Sequence, residues 1–222
     1  MTDRIPITKP KLPKRAPASI AASELTITDE TTFADATIRG IDLRSRDLNL
    51  VTFRKTTLQT PTWANATLPG LTLEDTRLVE ADLSNFTIER GRLARVEFTG
   101  CRITGASLHQ TLLQDVTFSG CRADLAQWPR TVWQRVAFVE CQLNQAYFND
   151  VDLSGVRFRD CNLRGADFTG ATLTGVDLRG SNLEDIIITV EQLRDVTVTT
   201  DQAIFLCGLI GLRIDDEIGL RM

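Results

Sequence analysis

From Phe33 to Leu193 a hydrophobic side chain stands at every fifth position, through Ile38, Leu43, Leu48 and Phe53 to Ile188, without one interruption. Only Ala123 among these centres is small. A period of five fits neither the 3.6-residue repeat of a helix nor the two-residue repeat of a strand, so the backbone must turn once per repeat. The residue two before each centre says how the turns close. It is Val at 96, 116, 136, 156 and 176, Cys at 101, 121, 141 and 161, and Ala at 106, 126, 146 and 166. Each type returns after four repeats, which predicts a four-faced coil with like residues stacked on successive coils.

Side chains alternate along an extended segment, so centres such as Leu153 and Phe158, with Val151 and Val156, point inward. The intervening Asp, Asn, Thr, Arg, Gln, Ser and Gly residues face outward. Most glycines, Gly40, Gly100, Gly120 and Gly180 among them, fall two after a centre, at a corner that calls for positive φ. The clean motifs Ala81-Asp82-Leu83 and Ala166-Asp167-Phe168 are joined by the near copies Cys161-Asn162-Leu163, Val176-Asp177-Leu178 and Ser181-Asn182-Leu183. These resemble the pentapeptide-repeat family, with its Ala-(Asp/Asn)-Leu-X-X consensus. The resemblance implies an all-β solenoid, a right-handed quadrilateral β-helix, here over residues 25–195. About eight coils at roughly 4.8 Å each would make a rod on the order of 40 Å long.

Outside the repeats the pattern changes. Residues 1–24 hold Pro6, Pro10, Pro13 and Pro17 with Arg4, Lys9, Lys11, Lys14 and Arg15, against Asp3 and Glu24; they are expected to be a basic, solvated leader. Leu25 and Ile27 alternate with polar residues and suggest a short strand entering the first coil. Around Ala123 the motif Ala123-Asp124-Leu125 appears two residues out of frame, and Trp128-Pro129 and Trp133 follow. A bulge or a ring turned to solvent is expected there, with Trp128 and Trp133 either oversized core residues or an exposed contact. Residues 196–222 are expected to be a C-terminal helical cap. Thr189-Val190-Glu191-Gln192 has capping-box spacing before a short helix containing Leu193. Asp201 is the expected N-cap of a second helix, Gln202 to Gly211. Its Ile204, Phe205, Leu206, Leu209 and Ile210, with Leu212 beyond, are apolar on almost every side, which points to burial on the last coil or in a homodimer. Asp215-Asp216-Glu217 reads as a solvated acidic tail.

Composition adds limits rather than chemistry. The formal net charge of −4 is too small to dictate a partner. No apolar run is long enough to span a membrane, and Met1 to Pro6 lacks a secretory core, so a cytoplasmic protein without membrane contact is expected. Cys101, Cys121, Cys141 and Cys161 would form a column, which cannot converge on one tetrahedral metal ion; buried reduced thiols are expected, and Cys207 stands apart. His109 is the lone histidine, on an outward position with Glu89 and Pro129 in its column. No catalytic, metal or cofactor-binding arrangement emerges, and the chain is not expected to be an enzyme. Asp35, Lys55, Asp75, Arg95, Asp115 and Arg135 alternate in sign along one corner, which reads as an exposed, charge-neutralising ladder of weak pairs.

The function that follows is a non-catalytic protein-interaction scaffold, with no direct nucleic-acid binding. Family members similar to this chain include bacterial quinolone-resistance proteins, thought to imitate duplex DNA and bind DNA gyrase or topoisomerase IV; some dimerise through a C-terminal cap. The resemblance therefore implies a second reading, a DNA mimic that protects against fluoroquinolones. The candidate surface is Trp128 and Trp133 with Asp150, Asp152, Asp160, Asp167, Asp177, Glu184 and Asp185. A mimic needs these acids to form a continuous stripe, yet Arg157, Arg159, Arg164 and Arg179 interrupt them in the sequence.

Overall fold

The structure, a computed structural model, describes residues 6–14, 19–21, 25–209 and 211–213. Among the described residues the chain winds as a parallel β-solenoid with a single C-terminal α-helix. Every rung from Thr32↔Thr52 to Asp177↔Thr197 pairs residues one coil, twenty positions, apart. The strands Thr72–Val79, Arg92–Thr99, Leu112–Ser119 and Val132–Val139 stack side by side in this register.

The period-five pattern produces this fold because each centre is buried and each corner turns. Phe98, Phe118, Phe138 and Phe158 stack one above the next, with neighbouring ring centroids 4.7, 4.6 and 5.2 Å apart. That is about the spacing of hydrogen-bonded strands. Cys101, Cys121, Cys141 and Cys161 stand in single file, all buried and all free. Each Sγ points at backbone carbonyls; that of Cys121 lies 3.5 Å from the Phe98 and Ser119 oxygens. The corners adopt left-handed backbone whatever residue they carry: Asp75 (φ 50), Arg95 (φ 55), Asp115 (φ 56) and Arg135 (φ 58) share it with Gly120 (φ 59). Glycine removes the strain of that conformation, but the ladder of coil-to-coil hydrogen bonds imposes it elsewhere. Asp35 N, for example, donates to Arg54 O at 3.0 Å.

The expected bulge near Ala123 does not form. Arg102↔Arg122↔Gln142 and Gln127↔Tyr147 keep the register, and Leu125 simply occupies a corner with φ 59. The out-of-frame motif loses because shifting it would move inward side chains to the outer wall. Trp128 and Trp133 remain inside, packed edge to face at 5.3 Å, on the stretch where Ala123 supplies the only small centre. Trp133 Nε1 donates to Thr131 Oγ1 at 2.7 Å.

Both ends differ from expectation in detail. The entering strand is Ser19–Ala21, paired in parallel with Thr37–Arg39, rather than Leu25 and Ile27. Ile27 is nevertheless buried in the core. At the other end a 3-10 turn, Glu191–Leu193, precedes the α-helix Thr200–Leu209. Its N-cap is Thr199, not Asp201. Gln202 N donates to Thr199 Oγ1 at 3.3 Å, and Thr199 N donates to Gln202 Oε1 at 2.8 Å, a reciprocal capping box.

The two glutamines of the cap close the rod. Gln192 Nε2 donates to Phe168 O and Ala171 O at 2.6 and 2.7 Å. Gln202 Nε2 donates to Leu178 O and Ser181 O, both at 2.7 Å. An open coil end exposes carbonyls that the next coil would otherwise satisfy; these amides take its place. Ile210, the tail Asp215-Asp216-Glu217, and Asp3, Arg4, Arg15, Pro17 and Glu24 of the leader lie outside the described residues.

Candidate interaction surface

The leader residues 6–14 do not stand free in solvent. Thr8 N donates to Asp115 Oδ1 and Lys11 N to Asp75 Oδ1, each at 2.9 Å. The segment thus crosses the corner column as a strap, docked on the wall although Pro6, Thr8, Lys9, Lys11 and Lys14 remain exposed to solvent. Proline-rich composition suggested too little apolar surface to order the segment. The order comes instead from main-chain donors meeting charged acceptors.

Those acceptors are themselves held from the next coil. Arg95 Nε and Nη2 donate to Asp75 at 2.6 and 2.8 Å, and Arg95 Nη2 reaches Glu74 at 2.9 Å. Arg135 grips Asp115 in the same bidentate way at 2.6 and 2.7 Å. With an arginine on one side and the strap above, Asp75 and Asp115 are each only 4% exposed. Within the expected exposed ladder, Asp75–Arg95 and Asp115–Arg135 are therefore geometrically fixed ion pairs with nearly buried carboxylates, while Asp35 and Lys55 are exposed as expected. The Arg135 guanidinium holds the Asp115 carboxyl below the ordinary carboxylate range, against the opposing effect of burial, and the Thr8 N–H adds to it. At Asp75 burial pushes upward most strongly, but the Arg95 guanidinium and the Lys11 N–H together bring the carboxyl below its ordinary value.

Beside the strap lies a cleft of about 560 Å³ between Pro6–Lys9 and the outer wall at Thr117, Ser119, Ala137, Val139, Arg157 and Arg159. Its floor is made of short side chains. On another wall the corner glycines Gly100 and Gly120 leave a trough of about 500 Å³ bounded by Glu80 and Glu140, with Arg102 and Arg122 along it. A third depression, about 210 Å³, lies among Gln127, Trp128, Pro129, Tyr147 and Asn149.

The residues singled out from the sequence are not brought together. Trp128 and Trp133 are 1% and 9% exposed, so they belong to the core, and Tyr147 is the exposed ring in that region. Asp152 faces one wall, Asp177 the next, Glu184 the third and Asp167 the fourth, while Asp150, Asp160 and Asp185 occupy three different corners. Asp177 is buried against Arg179 at 2.8 Å and Arg159 at 3.8 Å. Its carboxyl is held low by the Arg179 guanidinium, with burial opposing. Glu184 and Asp185 both pair with Arg164, at 3.3 and 3.2 Å. Glu140 and Asp160 are the only acids on consecutive coils of one outward column among the described residues.

Ile204, Phe205, Leu209 and Leu212 of the cap are exposed, whereas Leu206 is buried against the last coil. Among the described residues there is no group of His, Cys, Asp or Glu that could hold a metal ion. No helix there is long and apolar enough to cross a membrane. Sequence reasoning missed Thr8, Lys11 and Gln202. The first two act through backbone N–H groups and leave no side-chain signature. Gln202 was legible, because Thr199-Thr200-Asp201-Gln202 repeats the spacing of Thr189-Val190-Glu191-Gln192.

Comparison with known proteins agrees with this geometry. The model for pentapeptide repeats (8 copies) matches residues 146–185, and that for a pentapeptide repeat region matches residues 72–148. No curated protein matches the chain by sequence. Among solved structures, trypsin-treated QnrB1, a plasmid-mediated fluoroquinolone resistance protein, is similar with a TM-score of 0.56 at 17% identity, over 81% of this chain and 100% of that one. HetL, a pentapeptide repeat protein involved in heterocyst differentiation regulation from the cyanobacterium Nostoc sp. strain PCC 7120, gives a TM-score of 0.34 at 19% identity, over 81% of this chain and 86% of that one. At 17% identity the likeness to QnrB1 concerns the fold alone. With two family models covering residues 72–185 in one unbroken register, the chain belongs to the pentapeptide-repeat family.

Proposed function

We propose that this protein is a non-catalytic protein-binding scaffold that self-associates through its C-terminal helix. The observation that carries the reading is the placement of apolar surface. The interior is filled: a void of about 10 Å³ among Trp63, Phe86 and Phe98 is far below the roughly 300–1,000 Å³ of a ligand pocket. Contact therefore falls to the outer wall, and the exposed apolar side chains Ile204, Phe205, Leu209 and Leu212 gather at one end of it. Such a cluster at the tip of a rod suits a two-fold interface.

Imitation of duplex DNA receives less support, because the acids are spread over all four walls and several are neutralised by arginine. Gyrase or topoisomerase IV as the partner would need a different element of recognition. Light scattering of the purified protein is expected to give a dimer, and of a Phe205→Asp/Leu209→Asp variant a monomer. A monomeric wild type throughout the micromolar range would reject self-association. A supercoiling assay with DNA gyrase is expected to show neither inhibition nor rescue from a fluoroquinolone; rescue at micromolar protein would favour the mimic.

A further inference from the structure

The strap and the corner column share a metric. Thr8 and Lys11 are three residues apart and meet Asp115 and Asp75, which are two coils apart. Two coils span about 9.6 Å, and three residues of polyproline II advance about 9.3 Å. Pro6, Pro10 and Pro13 favour that conformation and have no N–H to satisfy, while the two residues that face the carboxylates keep theirs. One more step of the same pitch would bring Lys14 level with Asp35, the next carboxylate of the column, which is exposed.

Both strap contacts are made by main chain. The bonds read an extended backbone of the right pitch, while the Thr8 side chain and the Lys11 charge add to the stabilisation of the two carboxylates. The acceptors are fixed before anything docks, since Arg95 and Arg135 orient Asp75 and Asp115 from the neighbouring coils. The basic residues Lys9, Lys11 and Lys14 complement the carboxylates in charge. The open cleft over Thr117, Ser119, Ala137 and Val139 lies directly beside the strap, where an incoming chain can gain a foothold.

We propose that the corner from Asp75 to Asp115 is a docking groove for an extended, basic, proline-bearing segment of a partner protein, and that residues 6–14 occupy it in cis as a displaceable stand-in. This rests on the scaffold reading and names the class of partner. Main-chain recognition of a preformed polyproline segment limits the ordering cost of binding. The cis strap raises the threshold by competing at high effective concentration.

The test uses the full chain carrying Thr8→Pro and Lys11→Pro, which removes both donors and keeps the polyproline preference. The probe is a fluorescein-labelled peptide with the wild-type sequence of residues 6–14, followed by anisotropy, while amide nitrogen NMR relaxation at Lys9 and Leu12 reports whether the strap has left. The expected result is strap release, an unchanged cooperative melt, and peptide binding at least about tenfold tighter than to wild type. Adding Asp75→Asn and Asp115→Asn should remove that binding, and a peptide with its lysines changed to glutamate should not bind. A released strap with no peptide binding would show a purely structural staple and overturn the inference. A strap that stays seated would overturn it equally, because the two N–H contacts would then not be what holds it. The mass of the same variant in solution reports the scaffold's self-association separately.

Discussion

Asp115 Oδ1 accepts the backbone N–H of Thr8 at 2.9 Å across 107 positions of sequence, and the same oxygen is held by Arg135 Nε at 2.6 Å. A carboxylate so placed must stay ionised to satisfy both donors. Its folded pKa is depressed from 3.8 by the Arg135 guanidinium, burial opposing, with help from Thr8. Asp75 is depressed likewise, the Arg95 guanidinium and Lys11 N–H outweighing burial. Depression means the folded state binds these protons more weakly than the unfolded state. The stabilisation is therefore complete above about pH 4 and drains away as the pH falls through the folded values. Thermal melts from about pH 6 to about pH 2.5 should show midpoints falling below about pH 4. An Asp115→Asn variant should start lower at neutral pH and lose less on acidification. An equal acid-side fall in both proteins would show that other carboxylates dominate.

The cap makes a separate prediction. Gln202 Nε2 bridges Leu178 O and Ser181 O, so Gln202→Ala takes the amide donor from the buried Ser181 O, leaves Leu178 O with only the Ser181 N–H, and also breaks the capping box with Thr199. A loss of about 1–3 kcal/mol is expected in urea unfolding. Hydrogen exchange should accelerate over the last coil and the helix, and much less at Leu113 or Phe118. Gln202→Glu keeps the shape and the acceptor for Thr199 N but cannot donate to the carbonyls. It should behave like the alanine variant, which separates carbonyl capping from packing.

What was legible in the sequence was what repetition writes. A centre such as Phe138 and its twin Phe158 carry the same message twice, so coil length, the inward set and the single file of Cys101 to Cys161 could all be read from residue types alone. The strap could not. Its bonds use the N–H of Thr8 and Lys11, which every residue but proline has, and its pitch becomes meaningful only against a column forty residues long. The ladder was legible as alternation from Asp75 to Arg135, but its burial was not, since the strap supplies the cover. The fate of Trp128 turned on volume: the ring is large for a four-sided interior, and only the fold shows it stacked on Phe148, with ring centroids 6.2 Å apart, without disturbing the register.

Gly91 tests how tightly the interior is filled. It is an inward residue, two before Leu93, and its backbone is not left-handed, so its role is space rather than conformation. A Cβ built there would stand 2.4 Å from Ile88 Cγ2 and 3.0 Å from Leu71 O. Gly91→Ala should destabilise by about 1–3 kcal/mol despite alanine's advantage in the unfolded chain. Ile88→Leu has no Cγ2. Combined with Gly91→Ala, it should recover part of the loss, giving a coupling of at least about 0.5 kcal/mol in a double-mutant cycle. Strict additivity would mean that the backbone, and not Ile88, absorbs the clash.

The cysteine file makes the last prediction, because reactivity requires both thiolate character and access. The neighbouring thiols of Cys101 and Cys141, together with burial, push the Cys121 thiol up. Cys161 is pushed up by Cys141 and by burial in the same manner. Charging one of these sulfurs would place an anion in an apolar column with no cation facing it. All four are buried, and without access they should resist a maleimide at neutral pH for as long as the coils stay closed. Cys207, half-buried on the cap helix, is outside that shield. Intact mass after brief labelling should show a single adduct, mapped to Cys207, and five adducts in denaturant. Native labelling of Cys121 or Cys141 would mean that the coils separate on the labelling timescale. The stability of the rod would then lie in its two ends, at Ser19–Ala21 and at Gln192 with Gln202, rather than in its stacked interior.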